Sequence, residues 1–359
     1  MNQIKEKLNH LIQKNIKFSD VLIKANDVFL YRDPAGLQVL GEEVIDDREI
    51  DEFLKSIKSS NTDFDKEIAE NGGHLDFALT YVDVRFRCNL FHFNGNRAKG
   101  MSLRRLSSII PSLEQLNAPK YLLNFAQRST GLVLVTGATG SGKSTTLASL
   151  IDYVNNNYNS HIITLEDPIE YKHKNKKSSV TQRELGEDVS SFAQGLKAAL
   201  REDPDVILIG EIRDRETAAA ALEAAETGHL VFSTLHTTSA PKTIERMVDF
   251  FDGAEKEMMR TVMSSVLAGV CSQILIPNKE KTGRVLVCEI MGNTTQIAND
   301  IRKGEFHRLE NGIRENLKDG MTLMNRELVT LVQDGIISKD VALYATHNPI
   351  ELRKELGER

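Results

Sequence analysis

The chain has 359 residues, enough for two domains with separate cores, and its 40% hydrophobic and 27% charged content is that of an ordinary folded protein. A formal net charge of −6 gives no global attraction to nucleic acid, so any basic groove has to be local. Cys88, Cys271 and Cys288 lie far apart without a CxxC pair, which excludes a disulfide frame or cysteine zinc site and reads as buried, reduced thiols. The longest apolar stretch, Val262 to Ile276, is broken by Ser264, Ser265, Ser272 and Gln273 and is too interrupted to span a bilayer. The opening Met1-Asn2-Gln3-Ile4-Lys5-Glu6 has no signal-peptide core, so a cytosolic location is expected.

In chain order, residues 1–110 read as a small α+β domain. Ile4, Leu8, Leu11 and Ile12 recur at helical spacing and predict an amphipathic opening helix. Strand-like runs follow at 20–24 and 28–31, with a turn at Asp33-Pro34-Ala35-Gly36. Residues 46–57 carry a helix pattern, and Val82-Asp83-Val84-Arg85-Phe86-Arg87-Cys88 alternates as a half-exposed strand does. The stretch from Ser107 to Lys120, with Pro111 and Pro119, reads as a linker centred on 111–120. Across 121–292, strand-like runs at 132–135, 161–165, 206–209 and 230–234 alternate with helix patterns at 144–155, 191–200 and 215–227. That alternation predicts an α/β domain with a parallel sheet and helices on both faces. Residues 293–359 turn mainly helical, with Met324, Leu328, Leu331 and Val332 at three- and four-residue steps. The basic run Lys172-His173-Lys174-Asn175-Lys176-Lys177 reads as a solvated hairpin tip in preference to a nucleic-acid contact.

The chemistry starts at Gly137-Ala138-Thr139-Gly140-Ser141-Gly142-Lys143-Ser144, continued by Thr145. This is an unbroken GxxxxGK[ST] loop between a buried strand and a helix. Successive backbone N–H groups of such a turn converge on phosphate oxygens, and the helix N-terminus adds its positive end. Lys143 supplies a point charge to the β- and γ-phosphates, and the Ser144 hydroxyl is a Mg²⁺ ligand, so the chain is expected to bind ATP with Mg²⁺.

Acids decide whether binding becomes hydrolysis. Asp205-Val206-Ile207-Leu208-Ile209-Gly210-Glu211 is an apolar strand ending in a carboxylate, and a parallel strand delivers that carboxylate to the edge that carries the phosphate loop. Glu211 is therefore expected to orient or deprotonate the attacking water. Gly210 stands where many P-loop enzymes carry a Mg²⁺-associated Asp. A second run, Ile162 to Pro168, ends in Glu166 and Asp167, stopped by the proline. Glu166 is expected to act on Mg²⁺ or the water; Asp167 fits a site role or a turn role equally. A third strand, Gly228-His229-Leu230-Val231-Phe232-Ser233-Thr234-Leu235-His236-Thr237, carries a histidine at each end. His236 is expected to sense the γ-phosphate, and His229 is a further catalytic candidate at the opposite end.

These blocks, in this order and spacing, resemble the type II/type IV secretion-system ATPase superfamily: Walker A at 137–145, an acidic box at 164–170, an atypical Walker B at 201–213 and a histidine box at 228–238. The resemblance implies a PAS-like N-terminal domain, a RecA-like P-loop ATPase core and a homohexamer that couples ATP hydrolysis to motion of an inner-membrane partner. It implies peripheral membrane association through that partner on the cytoplasmic side, and no stable nucleic-acid binding. The short N-terminal part, the lack of a tetracysteine insertion and the tail segments 301–304, 319–325 and 333–338 are most similar to the pilus retraction (twitching motility) branch. An ATPase of a type IV secretion or conjugation apparatus is the alternative. In the family a neighbouring subunit's N-terminal domain supplies arginines to the nucleotide, and Arg85, Arg87, Arg97 and Arg104 are the matching candidates. The branch's Ala-Ile-Arg-Asn-Leu-Ile-Arg motif reads Gln296-Ile297-Ala298-Asn299-Asp300-Ile301-Arg302 here. Asp300 is therefore expected to be exposed, on a coupling surface that includes Ile301 and Arg302.

Overall fold

The computed structural model describes residues 2–57, 63–106 and 109–357; Ser107 and Ser108, at the start of the stretch read as a linker, lie outside them. Contacts divide the chain into two units, one of residues 1–109 with 168–172, the other of 110–167 with 173–359.

The first unit runs α1 (Gln3–Gln13), β1 (Asp20–Lys24), β2 (Asp27–Asp33), β3 (Gly36–Ile45), α2 (Asp47–Ile57), α3 (Phe64–Glu70), β4 (His74–Tyr81), β5 (Val84–Phe93) and β6 (Ala98–Arg105). Asn2 caps α1 by accepting from the Lys5 N–H, and the helix buries Ile4, Leu8 and Leu11. The strands form one antiparallel sheet in the order β3-β2-β1-β6-β5-β4. Period-two alternation sorts β5: Phe86, Cys88 and Leu90 enter the core with α1–α3, and Arg85, Arg87 and Asn89 fall on the other face.

The second unit begins with α4 (Tyr121–Ala126), β7 (Gly131–Thr136), α5 (Lys143–Asn157), β8 (His161–Glu166), β9 (Ser179–Glu184), α6 (Phe192–Ala199), β10 (Val206–Ile209), α7 (Arg215–Glu226) and β11 (Leu230–Leu235). It continues with α8 (Ala240–Val248), α9 (Gly253–Val266), β12 (Leu267–Pro277), β13 (Arg284–Gly292), α10 (Thr295–Lys303), α11 (Leu309–Glu315), α12 (Met324–Gln333), α13 (Lys339–Ala345) and α14 (Pro349–Glu355). Its sheet has the order β13-β12-β7-β11-β10-β8-β9. Within it β12-β7-β11-β10-β8-β9 pair in parallel. These are the parallel sheet that the sequence pattern predicts, and strand β13 adds one antiparallel edge beside β12. Alternate residues of each central strand feed opposite cores. Leu132, Leu134, Ile207 and Ile209 join α6, α7 and α9; Val133, Val135, Val206 and Leu208 join α4 and α5. Each fully buried aliphatic side chain contributes about 1.5–3 kcal/mol. The 111–120 stretch is part of this unit: Leu113 is buried and the Pro111 carbonyl accepts from Ser149 Oγ at 2.7 Å.

The 172–177 run is not a hairpin tip. Strands β8 and β9 are parallel, and parallel neighbours need a crossover connection. From His173 onward this connection is strapped along α5. The buried Asn155 donates to the Lys174 carbonyl at 2.8 Å and accepts from the Lys176 N–H at 3.1 Å, while Lys176 Nζ reaches Asp152 at 2.7 Å. The lysines stay exposed as expected, but the His173 ring turns inward, and burial pushes its pKa down to about 4.

In the C-terminal region Asp300 is buried at 6% exposure, correcting the expectation of an exposed acid. It sits three residues after Ile297 and one before Ile301, inside the buried stripe of α10. Its Oδ2 has no hydrogen-bond partner among the described residues, and Arg302 bonds Asn299 instead.

A buried carboxylate oxygen without a partner is costly, so Asp300→Leu, which restores the apolar residue of the retraction motif, is expected to raise unfolding free energy by about 1 kcal/mol or more in urea titrations. His173 gives a pH signature. The unfolded chain takes a proton near the ordinary value of 6.5, whereas the folded chain resists until about 4, so stability falls as pH drops through that window. His173→Phe is expected to flatten the decline by at most about 1.4 kcal/mol per pH unit, read from denaturation midpoints across the window.

Candidate active site

Strand β7 is buried along its length and releases the chain at Gly137 into the phosphate loop, which closes onto α5. Gly137 has φ +146°, and a Cβ there would collide with the Gln273 carbonyl of β12 and sit 2.6 Å from Ser141 Oγ. Gly142, the N-cap of α5, has φ +88° and packs against Leu275. Both positions therefore require glycine. Gln273 Nε2 donates to the Ser141 carbonyl at 2.7 Å, and Thr136 Oγ1 pairs with Ser272 Oγ at 2.8 Å, so β12 braces the loop from below. Ala138, Thr139, Gly140 and Ser144 are exposed, and Thr145 is half-buried. Lys143 Nζ folds back to donate to the Gly137 and Ala138 carbonyls at 2.8 and 3.2 Å. Ser141 Oγ is buried without a hydrogen-bond partner among the described residues. An orphan hydroxyl, an ammonium and a helix N-terminus around one turn form a donor set that fits phosphate.

The parallel ladder brings three more side chains to this edge. Leu165 pairs with Ile209 and Ile209 with Ser233, so the ends of β8, β10 and β11 are level. Glu166 closes β8, and its Oε1 accepts from Thr164 Oγ1 at 2.7 Å and from Gln182 Nε2 at 3.0 Å. A Cβ at Gly210 would lie 3.3 Å from the Leu165 carbonyl and 3.4 Å from Glu166 Cα, which leaves a larger residue there little room. Glu211 follows, 14% exposed, with Oε2 3.5 Å from His236 Nε2 and Oε1 in an ion pair with Arg213. Arg213 also lies 3.8 Å from Asp167, and its hydrogen bond to Glu211 raises its pKa further. Arg213 and Gln182 carry no motif signal of their own, although Arg213 lies only two residues after Glu211 and inside the same signature block.

His229 does not join this edge. It sits before the first residue of β11, at the opposite end of a strand of roughly 20 Å, and Nδ1 bonds the Ala224 carbonyl at the end of α7. Of the four arginines in the first unit, Arg85 donates to the Ile169 carbonyl at 2.8 Å and Arg104 to Asp20 at 2.9 Å. Arg87 is exposed and stands directly across from Arg104; Arg97 is exposed in the turn between β5 and β6. Arg85 and Arg87 share one sheet face, as their spacing requires.

Among known proteins, the family described as type II/IV secretion system protein matches residues 59–300. The twitching motility protein of Neisseria gonorrhoeae is 44% identical over 299 residues, 83% of this chain and 79% of that protein. The type IV pilus retraction ATPase PilT of Pseudomonas aeruginosa is 48% identical over 268 residues, 74% of this chain and 77% of that protein. The crystal structure of the pilus retraction motor PilT with bound ADP superposes with a TM-score of 0.87 at 40% identity, covering 97% of this chain and 99% of that one. The ATPase DotB of Legionella pneumophila superposes at 0.76 with 28% identity, covering 95% and 94%. With an intact phosphate loop, two level acidic strand ends and these matches over most of its length, the chain belongs to the type II/IV secretion system protein family, within its pilus retraction branch.

Proposed function

We propose that this chain is a Mg²⁺-dependent ATPase that works as a homohexamer on the cytoplasmic face of the inner membrane and retracts a type IV pilus through a membrane platform protein. The observation that carries the reading is the convergence of the Lys143 loop, Glu166 and Glu211 on one sheet edge, in a chain 40% identical to a retraction motor over nearly its whole length. A secretion-apparatus ATPase is the weaker reading, since the DotB match is lower in both identity and superposition. Among the described residues no helix is long and apolar enough to cross a membrane, so this reading places membrane contact on a partner.

Lys143 exchanges the two loop carbonyls for β- and γ-phosphate oxygens, and the backbone N–H groups of 138–144 complete the cradle. Mg²⁺, when bound, neutralises charge building on the transferred phosphoryl group. Ser144 and Glu166 are its protein ligands in this reading, in keeping with a cation that takes few protein oxygens beside phosphate. Glu211 orients the attacking water and accepts its proton. Arg213 and His236 set its charge environment, and His236 is 54% exposed and within reach of an incoming γ-phosphate. Among the arginines, Arg87 and Arg97 are the better candidates to serve a neighbouring subunit, because Arg85 and Arg104 are engaged within their own unit.

Lys143→Ala is expected to abolish turnover, while Glu211→Gln keeps nucleotide binding and loses hydrolysis by about a thousandfold in a phosphate-release assay. Glu211→Gln turnover near wild type removes Glu211 from the mechanism. Coupling is tested at Arg302 alone, because Ile301 is fully buried and its loss would disturb packing. Arg302→Ala is expected to keep ATPase within about threefold of wild type and to abolish pilus retraction in cells; normal retraction rejects a coupling role.

A further inference from the structure

The acidic-box carboxylate is held from two strands. Thr164 and Glu166 share one strand, and their hydrogen bond alone leaves the carboxylate loosely oriented, because the terminal torsion of a glutamate is broad and nearly two-fold. Gln182 pairs with Thr164 across the parallel β8–β9 register, so its side chain rises on the same face. Its Nε2 donates to the same Glu166 Oε1 at 3.0 Å, and two donors on one oxygen define the rotation.

The far end of Gln182 decides which way its amide points. Its Oε1 accepts from the His173 backbone N–H at 2.8 Å. A backbone N–H only donates, so the amide oxygen faces His173 and the NH₂ group faces Glu166. His173 is in turn located by the strap, since Asn155 of α5 bonds the main chain of Lys174 and Lys176. The helix that starts at Lys143 and the carboxylate at the end of β8 are thus joined by an unbroken hydrogen-bonded route through Asn155, the strap and Gln182.

We propose that Gln182 is a positioning residue for ATP hydrolysis: it sets the rotation of the Glu166 carboxylate and references it to the phosphate-loop helix. The proposal rests on the reading of Glu166 as a Mg²⁺ or water residue. It adds that Gln182 acts on turnover through that carboxylate, and that it must donate there.

The full-length chain is used, with steady-state Mg²⁺-ATP turnover and, separately, binding of a fluorescent ADP. Gln182→Ala is expected to lower kcat about tenfold or more while KM for ATP and the ADP affinity stay within about twofold. In a Glu166→Ala background, with residual turnover followed by radiolabelled ATP, the same substitution is expected to change kcat by less than about twofold. Gln182→Glu supplies the second readout. Its new carboxyl keeps the length and the acceptor for His173 but repels Glu166 when ionised. A carboxylate has no proton to give Glu166, so Gln182→Glu is expected to lower kcat about tenfold or more while KM for ATP stays within about twofold. Gln182→Ala turnover within about twofold of wild type, while Glu166→Ala is inactive, overturns the proposal. A tenfold loss that persists in the Glu166→Ala background also overturns it, as does a Gln182→Glu kcat within about twofold of wild type. Should the alanine variant fail to assemble, the kcat of Gln182→Glu decides. Normal turnover by Glu166→Ala instead rejects the assignment of Glu166 itself, and this proposal with it.

Discussion

The parallel ladder joining β7, β11, β10 and β8 is the constraint on which the rest of this site depends. These strands are buried on both faces, so every backbone N–H and C=O must be paired within the sheet, and one register satisfies them all. That register leaves the phosphate loop, Glu166, Glu211 and His236 at one level. A two-residue slip of β8 would carry Glu166 away by about 6–7 Å, further than any rotamer recovers. The geometry of this edge is therefore set by main-chain pairing, and the side chains only finish it.

At that edge, charge is balanced in short-range pairs. Lys143 rests on two carbonyls of its own loop, and Glu211 is shared between Arg213 and His236. Asp167 and Glu211 are drawn to one guanidinium, which offsets the repulsion between the two acids. Such an arrangement can exchange partners at small cost when a triphosphate brings its own negative charge, because each protein group already sits among hydrogen-bonding neighbours.

Beneath the edge, the β12–β13 hairpin ties the site to the C-terminal helices. Ser272 and Gln273 brace the phosphate loop from one strand. Glu289, across from Ser272 on the other, accepts from the Ala240 N–H at 2.8 Å and from the Met324 N–H, at the first residues of α8 and α12. Burial raises its pKa, while two helix N-termini favour its charge. A single carboxylate thus joins the helix that follows the histidine box to the helical tail. Removing it would leave two helix ends without a partner, so the tail belongs mechanically to the nucleotide-binding unit.

The sequence by itself determined the phosphate loop, the strand-end acids and the α/β order, because each is a local pattern whose chemistry is complete within a few residues. It also determined that Arg85 and Arg87 share a face, since a strand's period needs no partner. Only the tertiary structure decided what depends on a neighbour distant in the chain. Strand β9 is polar along an edge, and β12 is buried without alternation, its Ser272 and Gln273 included, so neither displays the period that marks a strand. The basic run is a strap and not a hairpin because the partner of β8 runs parallel to it. Asp300 is buried because it falls on the packed stripe of α10, which its charge alone argues against. His229 lies at the wrong end of its strand for the site, and Gln182 gains its meaning only from the Glu166 carboxylate beside it. Pairing across strands is a long-range choice made by packing and hydrogen-bond satisfaction over the whole sheet, and no window of the sequence contains it.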